Sequence, residues 1–244
     1  MLAALAVLSL SSLMAQNSFK GTIIYKVTST GETAIQLPEQ IASAEIKVLG
    51  DKLATSSPLF CSGQMADFIL VEGRKQTLCM DLSQLFMYLS MNDVELDYSG
   101  SSKILVQNEL TQQELDSLTI PCTEGFYIEY VDGETKTLVG KEAKKAIIHA
   151  FGESGEDHPT TVWYNAEMGP EVNPLVQYVR GVALEFSQDM GEGRQITVTA
   201  SEIKEGKVKE ADLLLPSGYE KISEEELKEL FRQIGEEMEY LRDE

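Results

Sequence analysis

The two histidines, His149 and His158, flank an acidic loop that holds Glu153, Glu156 and Asp157. Imidazoles beside carboxylates supply zinc ligands and general acid–base pairs. The spacing here selects neither. No His-x-x-x-His pair exists, and the intervening Gly, Ser and acids predict a solvated loop. Gly152-Glu153-Ser154-Gly155 places a serine near glycines, but the second glycine comes one position too early for a nucleophile elbow. Its surroundings also read as a hairpin loop, where an elbow needs a strand-to-helix turn. Gly140-Lys141 lacks the upstream glycine and the following Ser or Thr of a phosphate loop, and Gly191-x-Gly193 falls in a turn-like segment. Asp189 and Glu192 lie outside any twelve-residue calcium pattern. Cys61, Cys79 and Cys122 fit no zinc spacing, and Cys79, between Leu78 and Met80, reads as a small buried hydrophobe. The expectation is a protein without catalytic residues, metal or cofactor.

Apolar surface is what the sequence offers instead. Phe126, Ile128 and Tyr130 alternate with other residues, as do Val182, Leu184 and Phe186, and the single tryptophan, Trp163, sits in Thr160–Asn165. A period of two predicts strands with one apolar face. Side by side on one concave face, these seven residues would line a hydrophobic pocket. Ordinary core packing is the competing reading.

The elements that must position them are short and closely spaced. Phe19–Val27 alternates strictly; Ala44–Val48 and Lys52–Thr55 turn at Gly50-Asp51; Ala66–Val71 and Gln76–Met80 form a hairpin. Leu85–Leu89 is apolar enough for strand or helix. Lys103–Gln107 reads as a strand. Thr111 with Glu114 makes a capping box for a short helix over 110–118. Phe126–Tyr130 is expected to turn at Asp132-Gly133 and return as Thr135–Val139, since both turn residues tolerate positive φ. Ala143–Phe151, Thr160–Asn165, Val182–Phe186 and Ile196–Ala200 complete a run closed by Asp212–Leu215 at Pro216. Strands at this spacing predict an antiparallel sheet, without alternating βα units. The period then changes. Leu227, Leu230, Phe231, Ile234, Met238 and Leu241 form one helical stripe after a Ser223/Glu226 capping box, predicting an amphipathic helix over 223–242.

Composition bounds the function. Of 244 residues, 43% are hydrophobic and 25% charged, which fits a folded globular chain. Forty acids against twenty bases leave a net charge of −20, the wrong sign for nucleic acid or for anionic membrane surfaces. Residues 1–15 are apolar and uncharged, ending Leu13-Met14-Ala15, the pattern of a secretory signal. The expectation is export to the periplasm or cell envelope, no stable membrane anchor after cleavage, and one domain over 16–244.

Five segments in fixed order carry a resemblance: Phe19-x-Gly-x-Ile-x-Tyr25, Gly140-Lys-x-x-Lys-Lys-Ala146, Val162-Trp-Tyr164, Gly181-x-x-Leu-Glu-Phe186 and Leu215-Pro-x-Gly-Tyr219. The chain resembles exported envelope proteins grouped as domain of unknown function 4412. That resemblance implies a fold of the lipoprotein-carrier (LolA) type: a curved, incompletely closed sheet over an apolar cavity with helices as a lid. It implies no activity and transfers no ligand-binding residue. The expected class is therefore α+β, a strongly curved antiparallel sheet with short helices and a C-terminal amphipathic helix. The leading reading is a non-enzymatic binder of a lipid or other hydrophobic ligand. An envelope interaction or scaffold protein with a solid core ranks second, and a hydrolase third.

Overall fold

The computed structural model describes residues 19–30, 39–94, 96–152, 155–189 and 195–243. The signal segment 1–15, Glu153, Ser154 and the Gly191-x-Gly193 turn lie outside the described residues. The strands are β1 (Lys20–Thr30), β2 (Ser43–Leu49), β3 (Lys52–Thr55), β4 (Phe68–Glu72), β5 (Lys75–Asp81), β6 (Lys103–Glu109), β7 (Gly125–Leu138), β8 (Lys141–Phe151), β9 (Thr160–Asn165), β10 (Val182–Asp189), β11 (Gln195–Glu205) and β12 (Glu220–Lys221). They form one sheet in the order β12-β6-β5-β4-β3-β2-β1-β11-β10-β9-β8-β7. Two meanders, β1–β6 and β7–β11, meet where β1 pairs with β11, Val27 facing Val198. All pairings are antiparallel except the two-residue β12, which runs parallel to β6. The end strands β12 and β7 do not pair with each other, so the sheet is open.

The sheet is also bent. Strands three places apart in a flat sheet stand about 14 Å apart. Val48 on β2 and Val182 on β10 are three places apart, yet both side chains lie within 4 Å of one point beside Gly169. The 166–181 loop therefore crosses a sheet that curls around it. Arg74, in the β4–β5 hairpin, reaches Glu171 of the same loop at 2.8 Å.

Five helices attach to this sheet among the described residues: α1 (Glu39–Ala42), α2 (Pro58–Cys61), α3 (Ser83–Met91), α4 (Gln112–Ser117) and α5 (Glu224–Asp243). The first core joins Ile23, Tyr25, Ile46, Leu53, Ile69 and Ile104 of the sheet to Phe60 of α2, Leu89 of α3 and Leu230 and Ile234 of α5. Tyr25 meets Phe60 edge-on at 5.4 Å, and its hydroxyl donates to the Ala183 carbonyl at 2.8 Å. The second core holds Ile128, Ala146, Ile148, Val162, Tyr164 and Ala183 under Val176 and Val179 of the loop. Val182 and Leu184 belong to the first core and Ala183, between them, to the second. Successive side chains of a strand point opposite ways, so the two cores lie on opposite faces of β10. A third, small patch packs Val208 and Leu213 on Ala54 and Leu70.

Two local expectations are corrected, and the strand-or-helix alternative at Leu85–Leu89 is decided. Asp132-Gly133 does not turn the chain. β7 continues through it, and both halves pair with β8 across a bulge between Val131 and Thr135. The hairpin turn is Val139-Gly140, with φ of 44° and 77°, a two-residue loop with positive φ at both positions. Asp132-Gly133 has the right turn chemistry, but the extra residues are absorbed as a bulge because the strand on both sides of them stays paired with β8. Asp212–Leu215 is not a strand; residues Glu210–Leu213 form a 3-10 turn that caps the third patch. Leu85–Leu89 is helical, within α3.

Candidate functional site

The helix α5 borders one cleft. Its start is fixed by the expected capping box: the Ser223 N–H donates to the Glu226 carboxylate at 2.8 Å and the Glu226 N–H donates to Ser223 Oγ at 3.1 Å. Leu230 and Ile234 are buried in the first core, with Leu227 and Phe231 partly so. Met238, on the same stripe, is 40% exposed, so the helix lifts away from the core towards its end. Between α5, β12 and the 97–100 turn lies a cleft of about 360 Å³. Its floor is Ile222, Leu230 and Tyr98. The Tyr98 ring folds back over Gly100, where a Cβ would come within 2.5 Å of its hydroxyl, and that hydroxyl donates to the Ser101 carbonyl at 3.1 Å. Phe86 of α3 meets the same ring edge-on at 5.9 Å.

The rim is acidic: Asp97, Glu220, Glu226 and Glu229. Hydrogen bonds from Arg232 and then Gln233 hold the Glu229 carboxyl down to about 2. Hydrogen bonds from Ser223 lower Glu226 as well. Both stay ionised through the neutral range. The Gln233 carboxamide accepts from the Asp97 N–H at 3.1 Å, tying helix to turn across the mouth. The cleft thus offers an apolar floor under an anionic edge. Beside it, α3 carries no charged residue and exposes Met87, Tyr88 and Met91.

The seven residues expected to line a pocket are placed elsewhere and do not share a face. Phe126, Ile128 and Tyr130 belong to the second core, where Ile128 is 2% exposed. Val182 and Leu184 are fully buried in the first core. Phe186 touches both. Trp163 lies opposite Glu185 and Lys145, on the face away from its neighbours Val162 and Tyr164. Its ring takes the Lys136 ammonium at 4.8 Å, and Lys136 pairs with Glu185. The physical reason is a bulge on β10 between Ala183 and Glu185, which puts alternation on β9 out of step with that on β10. The cleft under α5 was only half visible in sequence. The Leu227–Ile234 stripe predicts the lid; nothing in the spacing of Tyr98 or Ile222 predicts the floor.

His149 sits between two carboxylates, Nδ1 at 2.7 Å from Asp157 and Nε2 at 3.2 Å from Glu129, with its ring stacked on Tyr127 at 4.5 Å. No nucleophile joins it among the described residues. Partial burial pulls its pKa down; the hydrogen bonds and charges of Asp157 and Glu129 outweigh this, and the net shift is upward. A raised folded pKa means the contribution is fully present below the ordinary histidine value of about 6.5 and is lost as pH rises through the folded value. The urea midpoint is therefore expected to fall across that window in the native chain and to change less in His149→Phe. Equal pH dependence in the two would remove this role.

No known family profile matches the chain, and no curated protein is similar to it in sequence. Solved structures are similar in fold. PNGF-II is 14% identical with a TM-score of 0.51, over 88% of this chain and 34% of that one. The chain thus spans about a third of that protein's length. A LolA superfamily protein from Nitrosomonas europaea is 9% identical with a TM-score of 0.29, over 81% and 91% of the two chains. An outer-membrane lipoprotein-sorting protein domain, assigned as such in Vibrio parahaemolyticus, is 6% identical with a TM-score of 0.20, over the same shares. The first of these similarities concerns the fold alone.

Proposed function

We propose that this protein is a non-enzymatic binder of a hydrophobic ligand, held in the cleft beneath α5. The observation that carries the reading is the apolar floor of Tyr98, Ile222 and Leu230 under a single helix, in a cleft of about 360 Å³. The lining is mixed, with Asp97, Glu220, Glu226, Glu229 and Gln233 around the three apolar side chains, and a concave site of a few hundred Å³ is the ordinary size for a small molecule. The helix is seated in the first core by Leu230 and Ile234 and tied across the mouth by Gln233, so the cleft is held in shape with α5 in place. The uncharged face of α3 next to Tyr98 gives an apolar ligand a surface to cross. The acidic rim disfavours free fatty acids, whose carboxylates would meet Glu226 and Glu229, and favours acyl chains with neutral or cationic heads.

Export to the envelope and kinship with domain of unknown function 4412 belong to the same proposal. The support for export is the apolar, uncharged run of residues 1–15, and that for the kinship is the order of the five sequence segments, which lie on or beside β1, β8, β9, β10 and β12. A scaffold protein with a solid core is the second reading. The close filling of Ile128, Val182 and Leu184 favours it.

Titration with N-phenyl-1-naphthylamine, a neutral apolar fluorophore, tests the choice, alongside native mass spectrometry of the purified chain. Saturable enhancement is expected, and Gln233→Trp, which fills the mouth from the rim, is expected to weaken it by about tenfold. No saturation and no co-purifying lipid would leave the scaffold reading standing.

A further inference from the structure

A second cleft, of about 60 Å³, lies between α4 and the 171–180 loop, on the second core. It is unlike the first. Tyr130, Tyr178, Arg180, Gln112, Asp116 and Glu171 give it polar and aromatic groups beside a few aliphatic side chains. The Arg180 guanidinium lies 5.1 Å from the Tyr130 ring centre. Arg74 and Arg232 are each clamped by glutamates, whereas Arg180 meets no carboxylate among the described residues. The Tyr130 hydroxyl accepts from the Arg180 N–H at 3.2 Å, which leaves its own proton to donate. The Tyr178 hydroxyl has no partner among the described residues. One face of the Tyr178 ring stacks on Phe126 at 6.4 Å.

Acceptors stand beside these donors. Asp116 takes one hydrogen bond from Gln112 at 2.8 Å, and Glu171 takes two from Arg74 at 2.8 and 3.1 Å. Each carboxylate oxygen has a further lone pair. Arg74, Arg180, Asp116 and Glu171 sum to no net charge, so a bare anion gains little here. A ligand whose every polar group both donates and accepts fits this set best. Hydroxyl groups on a ring do so. The backbone is committed to the arrangement: Gln177 and Tyr178 both hold left-handed φ, 44° and 65°, and the Tyr178 N–H donates to the Asn173 carbonyl at 2.9 Å. Two such residues in succession are sparsely populated and persist where the surroundings fix them.

We infer that this cleft is a saccharide-binding site that takes one edge of a single sugar ring. This stands apart from the cleft beneath α5 and does not depend on it.

The test is an amide NMR titration of the full chain with the methyl glycosides of glucose, galactose and mannose, and separately with sodium acetate. Saturable shifts at residues of α4 and the 171–180 loop are expected for at least one glycoside, in the millimolar range. Arg180→Met and Tyr178→Phe, both confirmed folded by their spectra, are each expected to weaken binding by about tenfold. Saturation by acetate alone would overturn the inference in favour of a simple carboxylate site. Absence of saturation in every arm, or unchanged affinity in both variants, would overturn it outright.

Discussion

Gly181→Ala is expected to lower the unfolding free energy by about 4 kcal/mol. Gly181 holds φ at +65°, where any other residue is strained. The space is worse than the torsion. A Cβ there would stand 2.2 Å from the Asn165 carbonyl oxygen, 2.8 Å from Ala166 Cα and 2.9 Å from the Met168 carbonyl oxygen. All three are backbone atoms of the turn that leaves β9, so no side chain can rotate away. The Gly181 N–H also donates to the Pro170 carbonyl at 3.2 Å, and the displaced strand would lose that bond. Gly133→Ala is the control. It shares a positive φ of 78° but meets nothing within 4 Å, and its cost is expected near 1 kcal/mol. Urea denaturation of both variants separates the two contributions. Equal losses would show that conformational strain alone accounts for the site.

The second large effect is expected at Leu230→Ala, with a loss of about 3 kcal/mol. Leu230 is 1% exposed and is the point where α5 enters the first core. Truncation removes transfer energy and leaves a void whose walls, Ile222 and Tyr98, already border open space. The helix keeps its capping box, so helix content is expected to survive while docking weakens. Amide hydrogen exchange reads this directly: protection in α5 should fall further than protection in β1 or β2. Met238→Ala, on the exposed end of the same stripe, is expected to change stability by under about 0.5 kcal/mol. A large effect at Met238 and none at Leu230 would mean that the helix is seated by its far end.

Much of this architecture is legible in the sequence because burial follows alternation. Ile23, Tyr25 and Val27 alternate and are buried, and so do Ile46 with Val48 and Ile104 with Val106. The two capping boxes are equally readable, since Thr111/Glu114 and Ser223/Glu226 satisfy helix-end donors by local chemistry. What stays hidden depends on register between distant strands. The bulge at Leu184 decides which of Trp163, Val182 and Phe186 share a face, and no local pattern announces it. The parallel strand Glu220–Lys221 is two residues long, too short for any period. The cleft floor unites Tyr98, Ile222 and Leu230 through that same strand, so it was beyond reach for the same reason.

The junction of the two meanders has a consequence for how the chain acquires its shape. Within each meander, neighbouring strands are consecutive in sequence, so each half forms from short-range closures. The β1–β11 seam is different: it pairs Tyr25 with Ala200 and Val27 with Val198, from opposite ends of the described chain. Loop closure over that span is entropically costly and slows assembly. The opening strand must therefore wait, one edge unsatisfied, until the chain has been made or delivered as far as β11. During that interval an aggregation-prone edge is on offer, and a holding factor that masks the first strand would act there with the greatest effect.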